Sequence, residues 1–243
     1  MVEFYRMNHR VAIRIQKSIL HKAEKKLLVR IAERLPERIK SDHLTAIGLA
    51  GAIISATGYV LANRDIAFLW VSSFGLLINW FGDSLDGTLA RVRNTQRPIY
   101  GFFVDHCIDG ITITVMCIAA GLSPLISLYA ALLVLAGYLL LSIFTYINTY
   151  LRGEFKLTFG MFGPTEFRII VILINTLFIY FPVKNQAFDL LGRTFKTFDI
   201  IGIVIALILF IIYLAGFFSD RKKYNRMDPL PSFRGSNSKK QGQ

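Results

Sequence analysis

Six apolar runs dominate the chain, at 44–62, 67–83, 102–121, 124–150, 165–181 and 200–218. Each approaches or exceeds the roughly 20 residues that a helix needs to cross a bilayer. A segment placed in hydrocarbon must close its own backbone hydrogen bonds, and a helix does so within itself. The sequence therefore predicts an all-α integral membrane protein with six transmembrane helices. Composition agrees, since 53% of the 243 residues are hydrophobic and only 18% are charged, outside the usual range of a soluble domain.

The positive charges are unevenly shared between the two sides that six spans define. Residues 1–40 hold eleven Lys and Arg, 91–97 three, 152–168 three and the C-terminal tail seven, against Arg64, Lys184, Arg193 and Lys196 elsewhere. A bias of 24 to 4 predicts that both termini face the cytoplasm. The formal net charge of +12 then reflects attraction to a membrane surface. No stretch interleaves stacking aromatics with a soluble basic groove, so nucleic acid is not an expected partner.

Three regions follow. Residues 1–40 begin MVEFYRMNHR, without the apolar core and cleavage site of a signal peptide, and are expected to remain in the mature protein. Within 11–39, Ile13, Leu20, Leu27, Leu28, Ile31 and Leu35 form a helical stripe, with Arg14, Lys22, Lys25 and Lys26 elsewhere. Lys17 and Glu24 interrupt it. A basic amphipathic helix in the cytoplasmic headgroup layer is predicted. Residues 41–219 form the transmembrane domain. From 220 to 243 periodicity gives way to Pro, Ser, Gly and basic residues, which predicts a disordered cytoplasmic tail. Cys107 and Cys117 lie in the third span without a CxxC pair and are expected to be buried thiols.

The stretch FGDSLDGTLARVRNTQRPIYGFFVDHCIDG, residues 81–110, places four carboxylates at the junction of spans two and three. Helical spacing puts Asn79, Asp83, Asp86 and Ala90 on one side of span two, and Gly101, Asp105 and Asp109 on one side of span three. If the two sides meet, four like charges share a small volume and require a counter-charge. Oxygen ligands without a His or Cys cluster favour a hard ion, so one or two Mg²⁺ or Mn²⁺ are expected. Gly87, Ala90 and Gly101 leave a gap beside the carboxylates that suits a bulky diphosphate. Arg91, Arg93 and Arg97 lie at the same level and would favour its phosphates. The competing reading pairs the carboxylates with Arg91, Arg93, Arg97 and Arg168 without metal. The cost of four intramembrane carboxylates weighs against it.

Written out, the stretch is D-x-x-D-G-x-x-A-R, nine residues, then G-x-x-x-D-x-x-x-D. It resembles the signature of the CDP-alcohol phosphotransferases, integral membrane enzymes of phospholipid biosynthesis. The resemblance implies that Asp83, Asp86 and Asp105 hold two divalent ions, with Asp109 on or near them as general base. It implies a cytidine nucleotide pocket shaped by Gly87, Ala90, Arg91 and Gly101, a CDP-alcohol donor, a hydroxyl acceptor, one of them a lipid, and a homodimer.

Three departures from the pattern are visible. Ser41, Asp42 and His43 stand where many members have Pro-Asn before the Leu-Thr of the first span, here Leu44 and Thr45. The gap between Arg91 and Gly101 is one residue longer than a common version. His106 follows the third aspartate directly. With FGPTEFR at 162–168, this DHCID segment is similar to the choline and ethanolamine phosphotransferase branch. His106 is either a second proton carrier or partner of a metal ligand, or a histidine satisfied by a neighbouring carboxylate.

Thr145, Asn148 and Arg152 share a face at the cytoplasmic end of span four, and Glu166 and Arg168 open span five. Arg168, Arg152 and Asn148 are candidates for binding the second substrate, the alternative being interhelical hydrogen bonding. Gly51, Ala52, Ser55 and Ala56 give span one a small-residue face for helix contact. Two rival functions are an intramembrane Mg²⁺-dependent prenyltransferase and a non-catalytic ion-binding transporter or scaffold.

Overall fold

Helices account for nearly all of what the computed structural model describes, which is residues 13–15, 20–152, 154–156, 164–181, 188–190 and 193–229. The described residues form seven α-helices: α1 (His21–Arg34), α2 (Ser41–Leu61), α3 (Leu69–Val92), α4 (Pro98–Gly121), α5 (Leu128–Arg152), α6 (Pro164–Tyr180) and α7 (Thr197–Met227). Two short ladders in the connections depart from an all-α fold. Ile13–Ile15 pairs in parallel with Glu154–Lys156, and Phe188–Leu190 pairs antiparallel with Arg193–Phe195.

Among the described residues, five helical segments are long and apolar enough to cross a membrane: Ser41–Leu61, Ile66–Val92, Pro98–Gly121, Leu128–Leu151 and Phe198–Met227. The protein is a multi-pass membrane protein. Where the sequence predicts a further span, α6 has only 17 residues. Pro164 starts it at the position a proline tolerates best, and Pro182 follows its end in the sequence. At 1.5 Å per residue it reaches about 25 Å, short of a ~30 Å hydrocarbon core.

The closest packing joins α2 to α3. A methyl group added to Gly51 would run into the Asn79 backbone, one at Gly58 into Ser72, one at Gly75 into Ser55 and one at Gly82 into Gly48. The small-residue face of span one is therefore used within the chain, and Ser55 and Ser72 hydroxyls meet there at 3.1 Å. Close approach of two backbones is what small residues permit in lipid, where apolar burial alone does not drive helices together. Ala56, Tyr59, Leu69, Ala119, Leu125 and Phe178 fill the core at the far end of the bundle.

Three expectations are corrected at the periphery. The helix at the N-terminus begins at His21, and Pro36 follows directly after its C-cap residue Leu35. Leu28 and Ala32 are buried against Leu44, Leu85 and Leu89, so the stripe faces the ends of α2 and α3, while Leu27 is 47% exposed. At the other terminus α7 continues to Met227, past the predicted tail boundary at 220, and its basic last turn suits the negative end of the helix dipole. Cys107 is exposed and Cys117 partly buried, because their faces of α4 have little protein beside them.

Where α4 gives way to α5, Asp199 is fully buried at the start of α7. It accepts from Ser127 N at 2.6 Å, Lys196 N at 3.0 Å and the Tyr129 hydroxyl at 3.1 Å. One carboxylate thus fastens the first turns of two helices, whose N–H groups lack partners inside their own helix.

Candidate functional site

The end of α3 decides how the motif's two halves face each other. Asn94 takes a left-handed backbone (φ 54°), its N–H reaches the Arg91 carbonyl at 3.3 Å, and Thr95 N–H reaches the Ala90 carbonyl at 2.9 Å. This is a Schellman stop, for which Asn is a usual substitute for Gly. Pro98 then starts α4 in its first turn. The nine residues between Arg91 and Gly101 are thus spent ending one helix and beginning the next, so the two aspartate pairs return to the same level.

Asp83 and Asp86 from α3, and Asp105 and Asp109 from α4, line one cavity with Thr45, Gly48, Leu49, Asn79, Ile108 and Thr112. Its volume is about 10 Å³, near the room of one water molecule. The side chains are partly paired by the protein itself. Asp86 accepts from the Thr45 hydroxyl at 2.6 Å, and the Ser41 hydroxyl donates to the Asp86 carbonyl at 2.9 Å. Arg168 reaches in from α6, with Nη2 donating to Asp83 at 2.7 Å and Nε to Asn79 at 3.0 Å. Asn79 in turn donates to the Gly48 carbonyl at 2.9 Å. Buried Arg168 Nη1 has no hydrogen-bond partner.

Hard oxygen donors from adjacent helices suit a Mg²⁺ or Mn²⁺ ion in kind. In position they are less complete, since among the described residues no three Asp, Glu, His or Cys side chains are gathered tightly enough to enclose one. The tie between Arg168 and Asp83 is one physical reason, because a guanidinium occupies an oxygen that a metal would need.

Other predicted site residues lie around this cavity rather than in it. A Cβ on Gly101 would meet nothing within 4 Å, and one on Gly87 would lie 3.4 Å from Arg91 Nη1, so both glycines border open space. Ala90 is partly buried one turn beyond Asp86, and Arg91 donates to the Thr88 hydroxyl at 3.0 Å. Arg93 is turned away, donating to the carbonyls of Leu35, Pro36, Glu37 and Ile39, and Arg97 lies over the Tyr100 ring. His106 is stacked on Phe102 and edge-on to Tyr146, with Nδ1 donating to the Phe102 carbonyl at 2.7 Å. Asn148 accepts from the Tyr224 hydroxyl at 2.6 Å, an interhelical bond to α7. Arg152 ends α5, and its side chain lies outside the described residues, as do Phe162 and Gly163 of the FGPTEFR segment.

Sequence reasoning did not single out Thr45 and Thr112 as lining residues. Thr112 follows Asp109 by three positions on the same helical face, a signal that spacing offers. Thr45 comes from a different helix, and only its place in the Leu-Thr that opens span one drew notice.

Residues 41–218 match the family model described as CDP-alcohol phosphatidyltransferase. The chain is also similar to cholinephosphotransferase 1 of Danio rerio, 26% identical over 185 residues that cover 72% of this chain and 47% of that protein. The chain thus spans about half the length of the curated relative it matches.

Proposed function

Because the chain belongs to the CDP-alcohol phosphatidyltransferase family, we propose that it moves a phospho-alcohol group from a CDP-alcohol to an acceptor hydroxyl, releasing CMP, in phospholipid biosynthesis. One observation supports this above others: the four motif aspartates border a single cavity between α2, α3 and α4. The family match favours this reading over the prenyltransferase and transporter alternatives.

Asp83, Asp86, Asp105 and Asp109 would hold two Mg²⁺ or Mn²⁺ ions, which when bound neutralise the donor's diphosphate and orient it. Gly87, Ala90, Arg91 and Gly101 leave room for the cytidine nucleotide and contact it. Asp109 takes the proton from the acceptor hydroxyl. As that oxygen bonds to the alcohol-linked phosphorus, the anhydride bond to CMP breaks. Arg168 keeps Asp83 in place and offers its spare Nη1 to a phosphate oxygen. His106, packed between aromatic rings, is the weaker candidate for a proton carrier.

The similarity to a protein named cholinephosphotransferase, with the DHCID and FGPTEFR segments, supports a CDP-aminoalcohol donor and a lipid acceptor. Six spans are supported by α6 lying along the bundle: Arg168 meets Asp83 at one end, Asn175 meets Ser73 midway at 3.1 Å, and Phe178 joins the core at the other. Both termini and the aspartates would face the cytoplasm, given the distribution of Lys and Arg. The family resemblance supports a homodimer.

The test is CMP release by the purified full chain with Mg²⁺ or Mn²⁺, supplying CDP-choline or CDP-ethanolamine with diacylglycerol, or CDP-diacylglycerol with a panel of polar alcohols. Release from a CDP-aminoalcohol that disappears in Asp109→Asn is expected. Release from CDP-diacylglycerol alone would move the lipid to the donor, and no release from any donor would sink the enzymatic reading.

A further inference from the structure

Glu24 occupies the inward face of α1, one turn before Leu28 and two before Ala32. A carboxylate on an apolar stripe needs a local reason, and the structure supplies one. Its Oε1 accepts from Thr165 Oγ1 of α6 at 2.7 Å, from Trp80 Nε1 of α3 at 2.8 Å and, more distantly, from Ser84 Oγ at 3.3 Å. Three donors, two from α3 and one from α6, converge on one oxygen of α1.

A second contact joins the same two elements. Glu166, 7% exposed, accepts from Leu20 N at 3.0 Å, at the unpartnered N-terminal end of α1. Thr165 and Glu166 therefore hold α1, and Arg168, within the same turn of α6, holds Asn79 and Asp83. A helical turn is stiff, so a shift of its first residues is transmitted to the third.

We propose that Glu24 is a positioning residue for the aspartate site: by latching α1 to the first turn of α6, it sets where Arg168 holds Asp83. The inference rests on reading the aspartate cavity as the reaction site. Its physical basis is the geometry of α6, in which the latch and the site contact lie one turn apart.

The test uses full-length protein in lipid nanodiscs, with two independent measurements on Glu24→Ala, Glu24→Gln and Thr165→Val. In hydrogen exchange, Glu24→Ala should speed exchange of amides 168–171, which close the first turn of α6, by at least about tenfold. Glu24→Gln, whose amide oxygen still accepts, should stay within about threefold of the parent. Faster exchange confined to α1 would overturn the proposal. In kinetics, Glu24→Ala should lower kcat/KM for CMP release by about tenfold or more, but add little in an Arg168→Ala background, because neighbours acting through one another are non-additive. Multiplying losses would mean that Glu24 acts independently of Arg168 and would also overturn it. Thr165→Val, which removes one donor, should shift both measurements in the same direction by less and serves where Glu24→Ala does not fold. If the parent protein releases no CMP from any donor, the enzymatic reading fails on its own, and the exchange measurement still decides the latch.

Discussion

Arg168 and Asp83, 85 positions apart in the chain, are joined by a 2.7 Å bond between α6 and α3. The same guanidinium donates to Asn79 one turn away, so it fixes two neighbouring positions on the aspartate-bearing face at once. A planar fork can do this, whereas a lysine ammonium presents a single point of charge. The pair is partly open to solvent, at 15% and 38% side-chain exposure, which tempers its contribution. CMP release should fall in the order parent, Arg168→Lys, Arg168→Ala. The alanine variant should lose about 10- to 100-fold in kcat/KM, the span of one charge-assisted hydrogen bond. Steady-state kinetics with varied donor checks this, and unchanged values would remove Arg168 from the site.

Glycines in this protein separate into two kinds, and substitutions should tell them apart. Gly51 and Gly75 face the partner backbone between α2 and α3, so Ala at either should destabilise the bundle by about 1–3 kcal/mol, as overpacking does. Gly101 has open space beside it, and Ala there should leave stability unchanged while raising KM for the nucleotide donor. Thermal unfolding in detergent, run beside donor titrations, distinguishes the two. A Gly51→Ala protein as stable as its parent would contradict the close α2–α3 contact.

The aspartate face was legible because it is local: spacings of three and four on one helix state which residues share a side, and a motif of eight fixed positions is hard to mistake. Six apolar runs likewise announced the membrane. What remained hidden depends on meetings between distant segments. Glu24 breaks the apolar stripe of α1 and looks like a defect until Trp80 and Thr165 arrive from other helices. Arg93 looks like a phosphate ligand from its place in the motif, yet it bonds backbone carbonyls of the α1–α2 connection. At α6 the apolar run 165–181 and the helix Pro164–Tyr180 agree to within one residue, and what the run left open is whether 17 residues cross the bilayer.

Arg93 should therefore matter for stability before it matters for substrate. Its two terminal nitrogens meet the Ile39 carbonyl at 2.5 Å, Leu35 at 2.8 Å and Pro36 at 3.0 Å, carbonyls that follow the end of α1. Arg93→Ala should expose the 35–40 connection to limited proteolysis and lower the melting temperature, with KM for the donor changed less than about twofold. Loss of donor affinity at unchanged protease resistance would return Arg93 to a phosphate-binding role.

Asp199 offers a separation of stability from catalysis, because it lies at the opposite end of the bundle from the four aspartates. Its Oδ1 accepts from Ser127 N, and its Oδ2 from both Lys196 N and the Tyr129 hydroxyl. Asparagine at this position must turn an NH₂ toward one of these sets of donors. Whichever way it flips, at least one N–H in a site closed to solvent loses its acceptor, at a cost of about 1–3 kcal/mol. Asp199→Asn should thus unfold at a lower temperature or denaturant concentration. At temperatures where it remains folded, KM and kcat should match the parent. The expectation differs for Asp83, Asp86, Asp105 and Asp109, where the same change of Asp to Asn removes charge from the proposed site and should suppress turnover while leaving the fold intact. If Asp199→Asn instead lost activity at full stability, the two ends of the bundle would be coupled.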